Sequence, residues 1–304
     1  MYFLRRLAFL PLLLLAISLL AFVLVRLAPG GPFDRERKPA SPEIERALLA
    51  RYHLDEPVWK QYLRFLGGLA HGDLGASLKY RNHTVTDVIR QGLPVSLTLG
   101  ACAFALAIGV GVPAGFYGAA RRGQWREVGV SLASLLAVCV PAFVIGPLLV
   151  MLLAVKWRWF PVALWGSPWH LVLPTVSLGL YFGGRVARLM REGMIQTMEA
   201  EFINTARAKG LSEARVLLRH AVPLALLPVV SYAGPMLADL LTGSFVVESL
   251  FQLPGLGMFM VNSSLSRDYP MVVGLVLFYA GLLLGLNLLV DFVYGLLDPR
   301  VRHE

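Results

Sequence analysis

Five apolar stretches in this chain approach or exceed the length that a helix needs to cross a bilayer, about 20 residues. They run over Leu7–Leu27, Pro94–Gly118, Val128–Ala154, Val222–Val247 and Met271–Leu297. A sixth, Trp169–Met190, is interrupted by Arg185 and Arg188, so its apolar part is shorter. It reads as a span whose inner end projects into the cytoplasm. Composition agrees: 57% of the residues are hydrophobic, 15% are charged, and the mean hydropathy is +0.64. A soluble domain of this size would carry about a quarter charged residues. The expected fold is an all-α integral membrane protein with six transmembrane helices. An external helical insertion follows the first.

The net charge of +9 invites a nucleic-acid reading. Its distribution argues against one, because the basic residues follow topology. Arg5 and Arg6 precede the first span, and Arg121, Arg122 and Arg126 lie between the second and third. Arg185, Arg188, Arg191, Arg207, Lys209, Arg215 and Arg219 surround the fourth-to-fifth loop, and Arg300 and Arg302 follow the last span. Short loops on the other side carry only Lys156, Arg158 and Arg267. The positive-inside rule then places both termini and residues 190–222 in the cytoplasm. Segment 28–93 is also basic, but segments of that length cross the membrane largely regardless of charge. Trp157, Trp159, Trp165 and Trp169 form an aromatic belt at the outer ends of spans three and four. The first apolar run is too long for a signal peptide, and Ala28-Pro29-Gly30 is a poor cleavage site, so it is expected to stay as a helix. Cys102 and Cys139 fall inside apolar spans and are expected to serve packing.

The insertion, residues 28–93, has its own helical pattern. Ser41-Pro42-Glu43 is a helix start with Ile44, Ala47 and Leu48 as its apolar stripe. Asp55 and Pro57 begin another helix, with Val58, Tyr62, Leu66 and Leu69 on one face. Gly72, Gly75 and Asn82 break the pattern. Two readings fit this segment: a cap on the outer ends of the spans, or a surface that meets a substrate-delivery protein. Residues 94–297 form the core. Within it, Gly111-x-x-x-Gly115 and Gly179-x-x-x-Gly183 let helix backbones approach closely, and prolines such as Pro141 supply bends.

Between the fourth and fifth spans lies a charged island, Glu199–Pro228. Thr197 can cap a helix start there, with Glu199 and Glu201 in the first turn. Arg207 and Lys209 occupy the last turn, Gly210 follows as the C′ residue, and Ser212 opens a second short helix that runs to Pro223. Such an element is either an ordinary interfacial helix or a docking element for a soluble partner.

Asn204-Thr-Ala-Arg-Ala-Lys-Gly210, then Leu211, Ser212 and Pro223, resembles the cytoplasmic coupling loop of ATP-binding-cassette importer permeases. The general pattern is Glu-Ala-Ala, three residues, Gly, nine residues, Ile, any residue, Leu-Pro. Ala206, Gly210 and Pro223 match it, while Asn204, Thr205, His220 and Val222 depart from it. Thr205-Ala206-Arg207-Ala208-Lys209-Gly210-Leu211 is the form common in the peptide-importing branch. That branch is also resembled at Arg26–Gly30, Gly72–Ser77, Val247–Phe251 with Pro254–Gly257, Arg267–Pro270 and Leu297–Arg300. The resemblance implies a permease subunit of the bacterial inner membrane. Its implied partners are a second homologous permease, two cytoplasmic ATPases that bind ATP and magnesium, and an external peptide-binding protein, with lipids around the spans. Oligopeptides are the implied cargo. Dipeptides, glutathione, nickel and antimicrobial peptides are alternatives within the same machine.

The chain has no Gly-x-x-x-x-Gly-Lys-[Ser/Thr] phosphate loop, so it has no nucleotide site of that kind and no cofactor of its own is expected. Nor does it carry a His-Glu-x-x-His or Gly-x-Ser-x-Gly motif, and its six histidines are scattered. An enzyme is therefore not expected. A secondary transporter would need intramembrane carboxylates or broken helices in matched halves, and Asp239 alone is thin support. Asp239 lies deep in a span, where a carboxylate is costly and points to function. It faces an aqueous path or is held by a neighbouring polar group. Glu248, at the outer end of the fifth span, lines the entrance or contacts headgroups. Asn287 and Asp291 share a helix face and suit a helix contact.

Overall fold

The computed structural model describes residues 2–27, 53–80, 82–242 and 244–297. The expected helix start at Ser41 and the tail from residue 298 lie outside them. Among the described residues the chain is helical, with a single isolated β-bridge between Ala76 and Thr84 and no strand. The helices are α1 (Tyr2–Leu27), α2 (Val58–Ala70), α3 (Val85–Ala120), α4 (Trp125–Cys139), α5 (Ala142–Leu149), α6 (Trp169–Met198), α7 (Glu201–Ala208), α8 (Glu213–Arg215), α9 (Val222–Ala225), α10 (Leu227–Thr242), α11 (Phe245–Leu250), α12 (Leu256–Ser266) and α13 (Tyr269–Leu297). Wider π-helical turns extend α5 over Val150–Lys156 and join α8 to α9 over Val216–Ala221.

Four segments are long and apolar enough to cross a membrane: Phe9–Leu27, Val85–Ala120, Leu227–Leu250 and Tyr269–Leu289. The expected third span is broken instead. Trp125–Cys139 and Ala142–Lys156 meet at 102° around Pro141. Helix α6, 30 residues long, carries Arg185, Arg188, Arg191 and Glu192, which keep it from reading as a simple apolar span. With the bent pair and α6 added to the four, the helices are compatible with six crossings. Trp157, Trp159, Trp165 and Trp169 are all exposed, as a belt at the membrane surface requires.

Helices form two compact units. One comprises residues up to Val95 and from Pro254 onward. Here α1 packs along α13, and α2 lies against α1: the Ser18 and Tyr62 hydroxyls are 2.9 Å apart, and the Phe22 and Tyr62 rings meet edge-on at 5.1 Å. The inner face of α2 is rotated from the expected stripe. Val58 is exposed, and Phe65 packs in its place beside Leu69, because the ring offers more apolar area to the core. Gly72, Gly75 and Asn82 all take positive φ, as breakers should. The loop they shape is pinned by Asp268, a fully buried carboxylate. It accepts the Ser77 hydroxyl and the backbone N–H groups of Leu78, Lys79 and Met271. Helix α3 starts at Val85, nine residues before the apolar run begins at Pro94. The cause is a capping box: the Thr84 hydroxyl and backbone N–H bond to the Asp87 carboxylate, and Thr84 Oγ1 accepts the Asp87 N–H.

The other unit, Ser96–Leu253, is organised on α6. Leu173, Val186, Met190 and Met194 are fully buried along it, and α4, α5, α9 and α10 all pack against it. Helix α3 meets α6 backbone to backbone. A Cβ at Gly115 would stand 2.3 Å from the Ala187 carbonyl oxygen, and one at Gly111 would stand 2.7 Å from that of Gly183. The expected close approach is real. Cys102 and Cys139, by contrast, are exposed on this unit's surface. A period of 3.6 identifies a helix but does not say which side meets protein.

Gly115→Ala is therefore expected to destabilise the chain by about 1–3 kcal/mol, the usual cost of overpacking. Gly109→Ala, in the same helix with open space around it, should be neutral or stabilise by up to about 1 kcal/mol through the unfolded chain. Thermal unfolding of the two purified variants in detergent checks the contrast.

Candidate functional site

The charged island begins where α6 ends. Thr197 does not cap the next helix as expected: its hydroxyl donates back to the Gly193 carbonyl at 2.7 Å, within α6. A hydroxyl one turn from a free carbonyl has that competing partner. Ala200 takes the N-cap position, with ψ 145° and no side-chain cap. Glu199 closes α6 and pairs with Arg122 at 2.6 Å, while Glu201 alone keeps the expected first-turn place in α7. Nearby, Glu127 accepts Arg191 and the Gly123 backbone N–H. Two ion pairs thus tie the turn into α4 and the first turn of α4 to the C-terminal half of α6 and its end.

Helix α7 ends in a Schellman motif. The Gly210 N–H bonds to the Arg207 carbonyl at 2.9 Å, and the Leu211 N–H reaches the Ala206 carbonyl at 3.4 Å. Lys209 is the C-cap and Gly210 the C′ residue, with φ +77°. That left-handed conformation costs an L-residue about 1–2 kcal/mol and glycine almost nothing. Ser212 holds the N-cap backbone conformation of α8. Across the turn, Arg207 grips Glu213 with two bonds, at 3.1 and 2.7 Å. The guanidinium holds the Glu213 carboxyl below the usual carboxylate range. So exposed a pair adds little net stability, but it fixes the angle between α7 and α8. The contribution is present above the ordinary carboxylate pKa and is lost as pH falls through the lowered one.

Ile203 and Ala206 face inward, and Val216 and Ala221 of the following π-helical turns are fully buried. Outward, α7 and its end present Phe202, Asn204, Thr205, Arg207, Ala208, Lys209 and Gly210. Pro223 does not end the second helix. It sits at the start of α9, and the chain continues through Leu226 into α10.

The two carboxylates singled out within the fifth span separate. Glu248 is fully buried on α11 and accepts the Ser244 hydroxyl at 2.5 Å. Burial of this kind is set by tertiary packing and cannot be read from position in a span. Asp239 is exposed on α10, and among the described residues it has no ion-pair partner within 4 Å. Arg185 of α6 acts on it electrostatically across the α6–α10 contact. Arg185 donates to the Tyr181 hydroxyl at 3.1 Å and is close enough to act on Tyr232, whose hydroxyl is shielded and lacks a partner of normal geometry. The Asn287–Asp291 face lies partly outside the described side chains. Among the described residues no cluster of three or more His, Cys, Asp or Glu could hold a metal.

Residues 111–303 match the family described as binding-protein-dependent transport system inner membrane component. The chain belongs to that family. This permease is 42% identical to the oligopeptide transport system permease protein OppB of Haemophilus influenzae, over 99% of this chain and 98% of that one. It is 41% identical to OppB of Salmonella typhimurium, over 99% of both, and 38% identical to the dipeptide transport system permease protein DppB of Bacillus subtilis, over 99% of this chain and 97% of that one. Among solved structures, the inward-facing MetNI methionine ABC transporter superposes with a TM-score of 0.59 at 17% identity, covering 69% of this chain and 96% of that one. The permease is thus a multi-pass membrane transport component with the fold of ABC importer permeases.

Sequence reading found the loop but not the neighbours of Asp239. Arg185 reads in the sequence as an interruption of an apolar run and as one of the basic residues near the loop. Its place beside α10 depends on how α6 packs, which no local pattern encodes.

At Gly210, a Cβ meets open space, so the strain of substitution lies in the backbone alone. The permease should tolerate Asn best, then Ala, then Val, with all three variants still inserted in the membrane. ATP-driven transport normalised to inserted permease should fall in that order, since asparagine visits positive φ most readily.

Proposed function

We propose that this chain is one permease half of an ATP-driven peptide importer in the bacterial inner membrane, with both termini in the cytoplasm. The observation that carries this reading is the near full-length likeness to oligopeptide permeases. The second half is a homologous permease, and an external peptide-binding protein delivers cargo. Two cytoplasmic ATPases bind ATP and magnesium and dock on the loop from Asn204 to Ser212. The exposed face of α7 suits that docking, being polar, rigidly capped and backed by buried Ile203 and Ala206. Motion of α7 passes to α6 through the turn at Glu199 and to α10 through α8 and α9. ATP binding closes the ATPase pair and so favours one of two access states, which is how a ligand's differential affinity drives alternating access. Asp239 lies on the path of the cargo, since a charge exposed at mid-span is too costly against lipid. The 38% identity to DppB supports dipeptides as a second cargo reading.

Purified alone, the permease should hydrolyse no ATP. Co-expressed with its ATPases, permease partner and binding protein in a peptide-auxotrophic host, it should restore growth on tripeptides. Hydrolysis by a preparation free of other subunits, or growth without this chain, would overturn the reading.

A further inference from the structure

Two charged side chains, Asp239 of α10 and Arg185 of α6, lie open on a pair of packed helices. Asp239, the thirteenth residue of α10, is open, with no ion-pair partner within 4 Å among the described residues. Arg185, at the middle of α6, is open as well. It uses one N–H on the Tyr181 hydroxyl, 3.1 Å away, with its guanidinium carbon 5.3 Å from the centre of that ring. Tyr181 and Arg185 are one turn apart on α6, and Ser231 and Asp239 lie two turns apart on the exposed side of α10. The result is a polar face on two packed helices within the transmembrane region.

Such a face has three possible neighbours. Lipid is excluded by the cost of a charged side chain in hydrocarbon. A dry contact with a second permease would bury an incomplete ion pair, which repays its desolvation poorly. Water and a charged guest satisfy both groups. A guanidinium offers a planar fork for a carboxylate, and an aspartate offers acceptors to an ammonium. The two are near enough to act on each other but are not joined, so each remains available.

We propose that Arg185 and Asp239, positioned by Tyr181 and Tyr232, form a dipolar station on the transport path that engages the ionic groups of a passing peptide. Arg185 receives carboxylates, and Asp239 receives ammonium groups. This deepens the peptide-importer reading and rests on it. Between cargoes, water solvates both charges. During transport, a charged peptide group competes for one of them.

The test uses the assembled importer and tripeptides matched in size, carrying one Lys, one Glu or neither. Uptake is normalised to assembled complex and expressed for each peptide as variant over parent, which cancels the binding protein's own preference. Asp239→Asn should lower the ratio for the Lys peptide relative to the neutral one by about tenfold or more, the loss of one charge-assisted contact. Arg185→Gln should do the same for the Glu peptide, and Arg185→Lys, which keeps the charge, should restore most of it. If either near-isosteric variant slows all three peptides equally or fails to assemble, the pair is a contact with the second permease and the proposal falls. Unchanged ratios on every cargo overturn it too. A parent complex that takes up none of the peptides overturns the importer reading itself.

Discussion

Contact between the backbones of α3 and α6 at Gly111 and Gly115 underlies the larger of the two units. In a bilayer, lipid is as apolar as leucine, so helices gain little from hiding side chains from each other and much from close van der Waals packing. Two glycines one turn apart bring α3 to within contact of the α6 carbonyls. That leaves the remaining sides of α6 to α4, α5, α9 and α10. The same helix carries Arg185 at mid-length and ends at the loop that begins with α7. Its position therefore sets both the polar face and the start of the charged loop.

What local sequence encodes came through well, and what depends on tertiary packing did not. Apolar runs marked the spans, and Gly210 marked a left-handed turn, because each follows from chain physics within a few residues. Thr84 and Asp87 show how a local signal is overlooked: a capping box lies outside the apolar run it starts, so the run misplaced the beginning of α3. Thr197 offered two bonding partners of similar strength, and only the course of α6 decided between them. Glu248 and Asp239 are a more instructive contrast. Both are acids in one apolar stretch, yet one is enclosed and bonded to Ser244 while the other lies open beside Arg185. Which of the two the protein encloses depends on tertiary packing, which periodicity does not specify.

Charge in this chain is used sparingly and in kinds. Asp268 is enclosed and bonded on several sides, so it acts as a fixed staple for the outer loop. Arg207 with Glu213 and Arg122 with Glu199 are exposed, so salt screens them and they orient rather than stabilise. Arg185 and Asp239 fall between these cases, near each other but open.

The right-angled turn at Pro141 has its own implication. Breaking a helix within hydrocarbon normally strands N–H groups at the new start. Here the residue at the corner is an imino acid with no N–H to strand. The Val140 N–H bonds back to Leu136, and Val144 and Ile145 bond to the Pro141 carbonyl. The turn is thus written into the chain itself, by one residue that cannot donate at the point where the helix axis changes direction.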